Sequence, residues 1–363
     1  MSLRRLISAA AATGLLFGAA AASAQTADPR DHLSPGLHDA GQAASGLVLE
    51  HAIAPPPGFF DPEALIALPT PEEEEAFFAR MRTNPPRYGL LALANSDMAM
   101  ADGKLFVGNF NGFNAYDVSS GTPELVLSVV CPGGQGDLSI HGDLLFMSVE
   151  QNRGRLDCGA TGADGDVNAE RFRGIRIFDI SDLNAPRQIA AVQTCRGSHT
   201  HTLVPHPTDP KVLYVYNSGT SGVRKTDELS ICSDGEPGAN PETALYSIDV
   251  IRVDLDHPQD AAIVSRPRIF ADRQTGEIAG LWQGGRAGVA SQNTAQTNQC
   301  HDITAYPELG LAAGACSGNG ILLDISDPEH PARVSEMFDP YMAYLHSAIF
   351  SNAGDKIVFT DEW

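Results

Sequence analysis

The chain has 363 residues, of which 43% are hydrophobic and 19% are charged, a composition typical of a globular protein rather than a disordered one. Its 45 Asp and Glu residues outnumber the 24 Lys and Arg residues, and the formal net charge is −21. Because binding to a phosphate backbone or to an anionic lipid surface needs local positive potential, this balance argues against nucleic acid and membrane surfaces as partners.

Residues 1–24 have the pattern of a secretory signal peptide. Arg4 and Arg5 precede an apolar run, and the small residues Ala22-Ser23-Ala24 form a cleavage site. A membrane anchor is the alternative, but the run is rich in Ala and Gly and ends at this cleavage site. We therefore predict an exported protein, in the periplasm, at the cell surface or secreted, with no membrane span after cleavage. The general and twin-arginine export routes both remain open.

The leader that follows, residues 25–88, reads as a linker with one clear helix signal. Thr70 is a good N-cap, Pro71 suits the first helical position, and Glu73 completes a capping-box pattern. We predict one short helix over residues 71–82.

From residue 89 onward the chain repeats a pattern of short apolar strands. Each repeat contains a strand that ends at an aspartate, and these aspartates are Asp117, Asp179, Asp254 and Asp324. An antiparallel unit of four strands repeated in tandem is typical of the blades of a β-propeller. We therefore predict an all-β propeller over residues 89–363, with units at about 89–131, 136–195, 197–270, 300–338 and 343–363.

Two segments of these repeats carry a family resemblance. Residues 174–182 (GIRIFDISD) and 320–328 (GILLDISDP) resemble the LVIVD-repeat family of bacterial exported propellers, and the resemblance covers roughly residues 90–363. The first and third units depart from this pattern at Tyr116-Asp117-Val118-Ser119 and Val253-Asp254-Leu255. The resemblance implies the fold and implies no settled activity.

The number of blades is a separate question. Four full units and the first hairpin of a fifth fit before Trp363, and proteins similar to this one continue further, so we expect a truncated propeller. The alternative is a five-bladed ring whose last blade is completed by residues 46–51.

An exported chain with an even number of cysteines is expected to form disulfides. The six cysteines predict the bonds Cys131–Cys158, Cys195–Cys232 and Cys300–Cys316. The third bond follows from a predicted hairpin whose turn is centred on Glu308, because that register places Cys300 directly opposite Cys316. The other two follow from sequence neighbourhood.

Polar residues begin the innermost strand of each predicted unit. Aligning these strands gives one column of side chains, which are Asp97, Asp137, His201, His301 and His346. His199 lies two residues before His201 on the same strand face, so we count it with this column. Imidazole and carboxylate groups bind Zn, Fe, Mn or Cu ions. We predict a ring at one mouth of the channel, and a site for a divalent transition-metal ion is one of two interpretations of it.

Successive units contribute His201, His301 and His346, so these three are expected to converge, with Asp302 as a candidate partner for their second ring nitrogens. The alternative is structural, in which each side chain bonds the backbone of a neighbouring blade and fastens the blades together.

Other chemical motifs are weaker. Residues 164–170 (DGDVNAE) alternate oxygen ligands as a calcium loop does, but they lack the glycine and glutamate positions of an EF-hand, so calcium is the weaker cofactor alternative to a solvated acidic insertion. The sequence has no GxSxG, SxxK or dinucleotide-binding glycine motif, so it predicts no catalytic or organic-cofactor residues of those types.

Two functions fit these features. The first is an exported binding or scaffold module that presents its channel mouth to a protein or small-molecule ligand. The second is a metal-dependent enzyme, hydrolytic or oxidative, that uses the ring of Asp and His residues.

Overall fold

A computed structural model of the protein describes residues 28–36, 39–61, 70–83 and 94–363, so the predicted signal peptide lies outside the described residues. The chain divides into two units, residues 1–54 and 55–363. The described part of the first unit has one turn of 3₁₀-helix, Pro29–His32, and residues 46–51 form no strand. Leu47 and Val48 are exposed. The segment considered for closing a fifth blade is therefore irregular.

The leader helix, α1, spans Glu74–Thr83 rather than residues 71–82. Residues 71–73 form a turn instead, in which the Glu73 carboxylate accepts hydrogen bonds from the backbone N–H of Thr70 at 3.2 Å and from its hydroxyl at 3.0 Å. The capping interaction therefore precedes the helix and moves its first residue to Glu74. None of the described helices has the length and hydrophobicity that crossing a bilayer requires.

The second unit is all-β from residue 95 onward and consists of successive antiparallel sheets. The first sheet contains β1 (Asn95–Ala101), β2 (Lys104–Asn109), β3 (Gly112–Asp117) and β4 (Glu124–Val130). The second contains β5 (Leu138–His141), β6 (Leu144–Val149), β7 (Gly174–Asp179) and β8 (Arg187–Gln193). The third contains β9 (Thr200–Pro205), β10 (Val212–Ser218), β11 (Asp249–Asp254) and β12 (Ala262–Ser265).

The fourth sheet contains β13 (Asp302–Tyr306), β14 (Leu311–Cys316), β15 (Asn319–Asp324) and β16 (Ala332–Met337). A two-stranded fifth sheet contains β17 (Leu345–Phe350) and β18 (Ile357–Asp361). Within each sheet the strands pair in chain order, so every sheet is a meander. Single 3₁₀ turns lie at Pro258–Asp260 and Pro307–Leu309.

The repeated aspartates have the same place in four sheets. Each of the third strands, β3, β7, β11 and β15, ends at one of them. In the second sheet, Asp179 accepts hydrogen bonds from the backbone N–H of Ser181 at 3.0 Å and from its hydroxyl at 2.6 Å. These bonds fix the turn into the fourth strand, as the Asp-x-Ser pattern predicts.

All three predicted disulfides are present. The register expected for the hairpin that carries Cys300 and Cys316 is wrong by one residue, because Tyr306 pairs with Leu311. The turn takes in Gly310, whose φ of 64° lies in the left-handed region that glycine adopts without strain. The Cys300–Cys316 bond therefore forms just beyond the last strand pair rather than between directly opposed residues.

The core lies between successive sheets. Side chains alternate across a strand, so Leu145 and Met147 of β6 pack with the first sheet, whereas Phe146 packs with the third. Similar apolar layers join the third sheet to the fourth and the fourth to the fifth. The first strands of neighbouring sheets are also in contact: β1 with β5, β5 with β9, β9 with β13, and β13 with β17. Side chains at the starts of these strands therefore meet.

Candidate functional site

The six predicted site residues lie at or next to the starts of the first strands. Asp97, His201 and His346 are within β1, β9 and β17, whereas Asp137, His199 and His301 directly precede their strands. Each contacts at least one residue of a neighbouring sheet, but they do not form a single ring of equivalent members. They separate into an anchoring group (Asp97, Asp137 and His201) and a histidine cluster (His199, His301 and His346).

In the anchoring group, carboxylates bind the backbone of the next sheet. Asp97 accepts a hydrogen bond from the backbone N–H of Leu138 at 3.0 Å, and Asp137 accepts one from the backbone N–H of His201 at 2.9 Å. Burial and the nearby Asp137 carboxylate raise the pKa of Asp97. These contacts join the first three sheets, which is the structural role considered as an alternative in the sequence analysis.

His201 belongs to this group because of the partners of its ring. Its Nδ1 lies 2.7 Å from a carboxylate oxygen of Asp137 and 2.8 Å from the hydroxyl of Ser148. The side chain is fully buried, and its Nε2 has no hydrogen-bond partner in the structure. The expected convergence of His201 with His301 and His346 is therefore replaced by contacts with the second sheet.

In the histidine cluster, imidazoles from three sheets meet one another. The Nε2 atoms of His199 and His301 are 2.7 Å apart, and the ring centroids of His301 and His346 are 3.9 Å apart. Two ring nitrogens at the first distance require one proton between them, because two lone pairs so close would repel. His301, His346 and Glu362 also place ligand atoms within 4.8 Å of one another.

His199 is oriented by a carboxylate. Its Nδ1 donates to Oε2 of Glu150 at 2.8 Å, which directs Nε2 toward His301. Burial lowers the pKa of His199, but the bond to Glu150 and the charge of that carboxylate outweigh burial, so the pKa is raised. A carboxylate behind the second ring nitrogen is a common arrangement around metal-binding histidines.

His301 lies at the centre of the cluster and is buried. Burial, followed by repulsion from His199 and His346, lowers its pKa to about 3, so the ring is neutral at physiological pH. Its Nδ1 has no hydrogen-bond partner, so Asp302 does not fill the partner role predicted for it. Burial and the charge of Asp137 raise the pKa of Asp302 to about 6.

Two carboxylates of the site were missed by the sequence analysis. Glu150 directly follows β6, and Glu362 directly follows β18, so both follow the second strand of a sheet. In an antiparallel hairpin the end of the second strand lies beside the start of the first, and the backbone N–H of Glu362 accordingly donates to the carbonyl of Tyr344 at 3.0 Å. A carboxylate directly after the second strand of a sheet is therefore a sequence signal for a residue beside the start of the first strand.

The segment considered as a calcium loop surrounds an arginine. The carbonyl oxygens of Asp164, Gly165 and Asp166 accept hydrogen bonds from the Arg171 guanidinium at 3.2, 2.5 and 3.3 Å. Asp166 also pairs with Lys225 at 2.6 Å. Three backbone carbonyl oxygens of this segment and the Asp166 carboxylate are thus directed to side-chain cations.

Comparison with known proteins gives similarity at the level of solved structures only: no protein-family model and no curated protein matches the chain. A functionally unknown protein from Desulfotomaculum acetoxidans is 10% identical with a TM-score of 0.42, and the match covers 74% of this chain and 63% of that one. The periplasmic gluconolactonase of Pseudomonas aeruginosa is 14% identical with a TM-score of 0.42, covering 71% and 61%. A chain of a nidogen/laminin complex is 11% identical with a TM-score of 0.38, covering 74% and 73%. These similarities carry no argument about activity.

Proposed function

We propose that this protein is an exported β-propeller that binds a divalent transition-metal ion at the histidine cluster, through His301, His346 and the neighbouring carboxylate of Glu362, at one mouth of its channel. The observation that carries the proposal is that ligand atoms of these three residues lie within 4.8 Å of one another, with His199 bonded to His301 beside them.

The propeller part of the proposal is supported by the order of the sheets. Four meanders of four strands follow one another, and the first strands of neighbouring sheets are in contact, as in blades around an axis. The LVIVD-repeat resemblance in residues 174–182 and 320–328 favours the same fold. Three disulfides are typical of an oxidising, extracytoplasmic compartment, which agrees with export.

The metal part is supported by the chemistry of the donors. His301 is neutral and has an unpartnered buried nitrogen, and Glu150 orients His199, while Glu362 supplies a carboxylate oxygen nearby. Such a set of nitrogen and oxygen donors suits Zn, Fe, Mn or Cu. A bound ion of this kind would activate water or polarise a substrate, so a hydrolytic or oxidative metal-dependent enzyme is the activity that this site favours.

A binding or scaffold module is the second candidate. The observation that favours it is the anchoring group, because the polar atoms of Asp97, Asp137 and His201 form hydrogen bonds between sheets. Half of the predicted ring is then structural, and the mouth would serve as a rigid surface for a ligand.

Elemental analysis of the exported, purified protein tests the proposal. We expect near-stoichiometric transition metal in the wild type and in H330A, whose histidine is exposed and bonded to Asp327, and loss of the metal in H301A. If H301A folds with intact disulfides and retains the metal, the cluster is not the site. If the wild type holds no metal and binds none on titration, the module without metal replaces this proposal.

A further inference from the structure

A cleft of about 620 Å³ lies between the loop that joins β6 to β7 and the loop that joins β10 to β11, beside the histidine cluster. Its lining contains four cationic side chains and three carboxylates, so it is slightly positive although the whole chain carries a net charge of −21; the charged residues are Arg171, Arg173, Arg224, Lys225, Glu150, Asp166 and Glu228. Such a local reversal of charge identifies a region that the overall composition does not predict.

Most of the charges in this cleft are already paired. Glu228 accepts from both Arg171 and Arg224, and its Oε1 lies 2.6 Å from Nε of Arg224. At the exposed rim, Lys225 pairs with Asp166 at 2.6 Å. One buried carboxylate thus serves two buried guanidinium groups.

Arg173 differs from these residues. It is only 4% exposed and forms no ion pair with any described residue; its Nη2 donates to the carbonyl of Cys195 at 3.4 Å, and its Nε has no partner. Burial, followed by repulsion from Arg224, lowers its pKa to about 10, so the group remains charged at neutral pH. Only the field of Glu228, which already pairs with two other arginines, offsets this charge, and a buried charge without a direct ion pair is costly in a folded protein.

A second guanidinium adds to the surplus of positive charge. Arg196 is also buried, and its hydrogen bonds go to uncharged oxygens, including the carbonyl of Ser221 at 2.9 Å and the side-chain amide oxygen of Gln299. The field of Arg196 acts on Arg173. Glu228 therefore pairs with Arg171 and Arg224, whereas Arg173 and Arg196 lie close to each other with no ion pair among the described residues.

We propose that the cleft binds a small ligand through a carboxylate or phosphate group that pairs with Arg173. The planar guanidinium presents several N–H donors that match two oxygens of either anion, and a ligand oxyanion supplies the missing counter-charge. The ligand is therefore recognised electrostatically at the end of the cleft that contains Arg173.

The cleft and the histidine cluster share Glu150. This residue lines the cleft, and its Oε2 accepts from Nδ1 of His199 and, at 3.4 Å, from the hydroxyl of Thr220. A ligand held at Arg173 therefore lies next to the residue that orients His199. Anion binding itself does not depend on a bound metal, so the two proposals can fail separately.

Calorimetric titration of the metal-free protein with inorganic phosphate and, separately, with succinate tests this site. We expect at least one of the two anions to bind the wild type and its affinity to fall by at least about tenfold in R173Q. R173K keeps the charge without the fork of donors and is expected to bind with intermediate affinity. R187Q is the matched control, because Arg187 is exposed and paired with Asp179. The affinity of R187Q for the anion should stay within about twofold of the wild type.

Binding of phosphate alone identifies a phosphate ester as the ligand class, and binding of succinate alone identifies a carboxylate. The proposal is overturned if neither anion binds the folded wild type, or if R173K and R173Q both bind as the wild type does. If R173Q does not fold, R173K carries the comparison. A protein that binds the anion but no metal removes the proposed metal function and leaves this site standing.

Discussion

The anchoring group and the histidine cluster both lie at the starts of the first strands of successive sheets, but their polar atoms meet different partners. In the anchoring group, the Asp137 carboxylate bonds both the ring Nδ1 and the backbone N–H of His201. In the histidine cluster, His199, His301 and His346 meet other imidazoles. A polar residue at the start of a first strand is therefore structural where its carboxylate accepts from a backbone N–H. Where imidazoles face one another instead, their ring nitrogens are the candidate metal ligands.

The largest effect is expected when one histidine of each group is replaced by alanine and the Zn²⁺ affinities are compared. H346A should weaken the affinity for Zn²⁺ by about 100-fold, the upper range for changes around a metal site, because it removes one of the three proposed donors, His301, His346 and Glu362. H201A should leave the affinity within about threefold, because its ring bonds Asp137 and Ser148 instead. Titration calorimetry of both variants measures this. Equal losses in both would erase the distinction between the two groups.

The second test addresses the anchoring group. D137A should lower the free energy of unfolding by about 2–3 kcal/mol, because it leaves the backbone N–H of His201 without its acceptor and leaves the ring Nδ1 with the Ser148 hydroxyl alone. Urea unfolding of D137A and H346A with intact disulfides gives the comparison. A stable D137A with lost metal affinity would reverse the assignment of roles.

The third test concerns the carboxylate behind the cluster. E150Q should weaken Zn²⁺ binding by about tenfold, since the amide can still accept from His199 but no longer raises the basicity of its ring. E170Q is the control, because Glu170 is exposed and pairs with Arg155 away from the cluster. An unchanged affinity in E150Q would mean that Glu150 serves the arginine cleft alone.

The smallest expected effect is a pH dependence in the anchoring group. The pKa of Asp97 is raised above its ordinary value of 3.8, so the folded chain keeps this proton at pH values where the unfolded chain has lost it. The contribution of Asp97 to the free energy of unfolding therefore falls as pH rises above about 4. Relative to D97N, which cannot ionise, the wild type should be less stable at pH 7 than at pH 4 in urea unfolding. A difference that grows in the opposite direction would mean that the Leu138 N–H, not burial, controls this carboxyl.

Local signals in the sequence predict much of the fold. The turn at Asp179 and Ser181 depends on residues two apart, and the prediction of three disulfides depends on an even cysteine count together with the expectation of export. Both are short-range or compositional rules, and both are confirmed. The register near Gly310 is not predicted correctly, because the sequence does not reveal whether a glycine ends the turn or begins the strand.

The division of the ring could not be predicted, because it depends on geometry that a column of aligned residues hides. The pairing of β1 with β2 shifts register between Asn95 and Met98, and that of β17 with β18 shifts between Leu345 and Ala348. These irregularities contain Asp97 and His346, and a bulge changes the direction of the side chain it carries. Residues aligned by their apolar neighbours are therefore not equivalent in space.

The Cys300–Cys316 bond joins the residue directly before His301 to the last residue of β14. The backbone N–H of His301 also donates to the carbonyl of Ala315 at 2.8 Å, so this histidine is held from both sides of the hairpin end. Disulfides form in oxidising compartments, so a newly made chain in a reducing compartment lacks one of these two restraints. The segment that carries His301 therefore gains its second restraint only when this cysteine pair is oxidised.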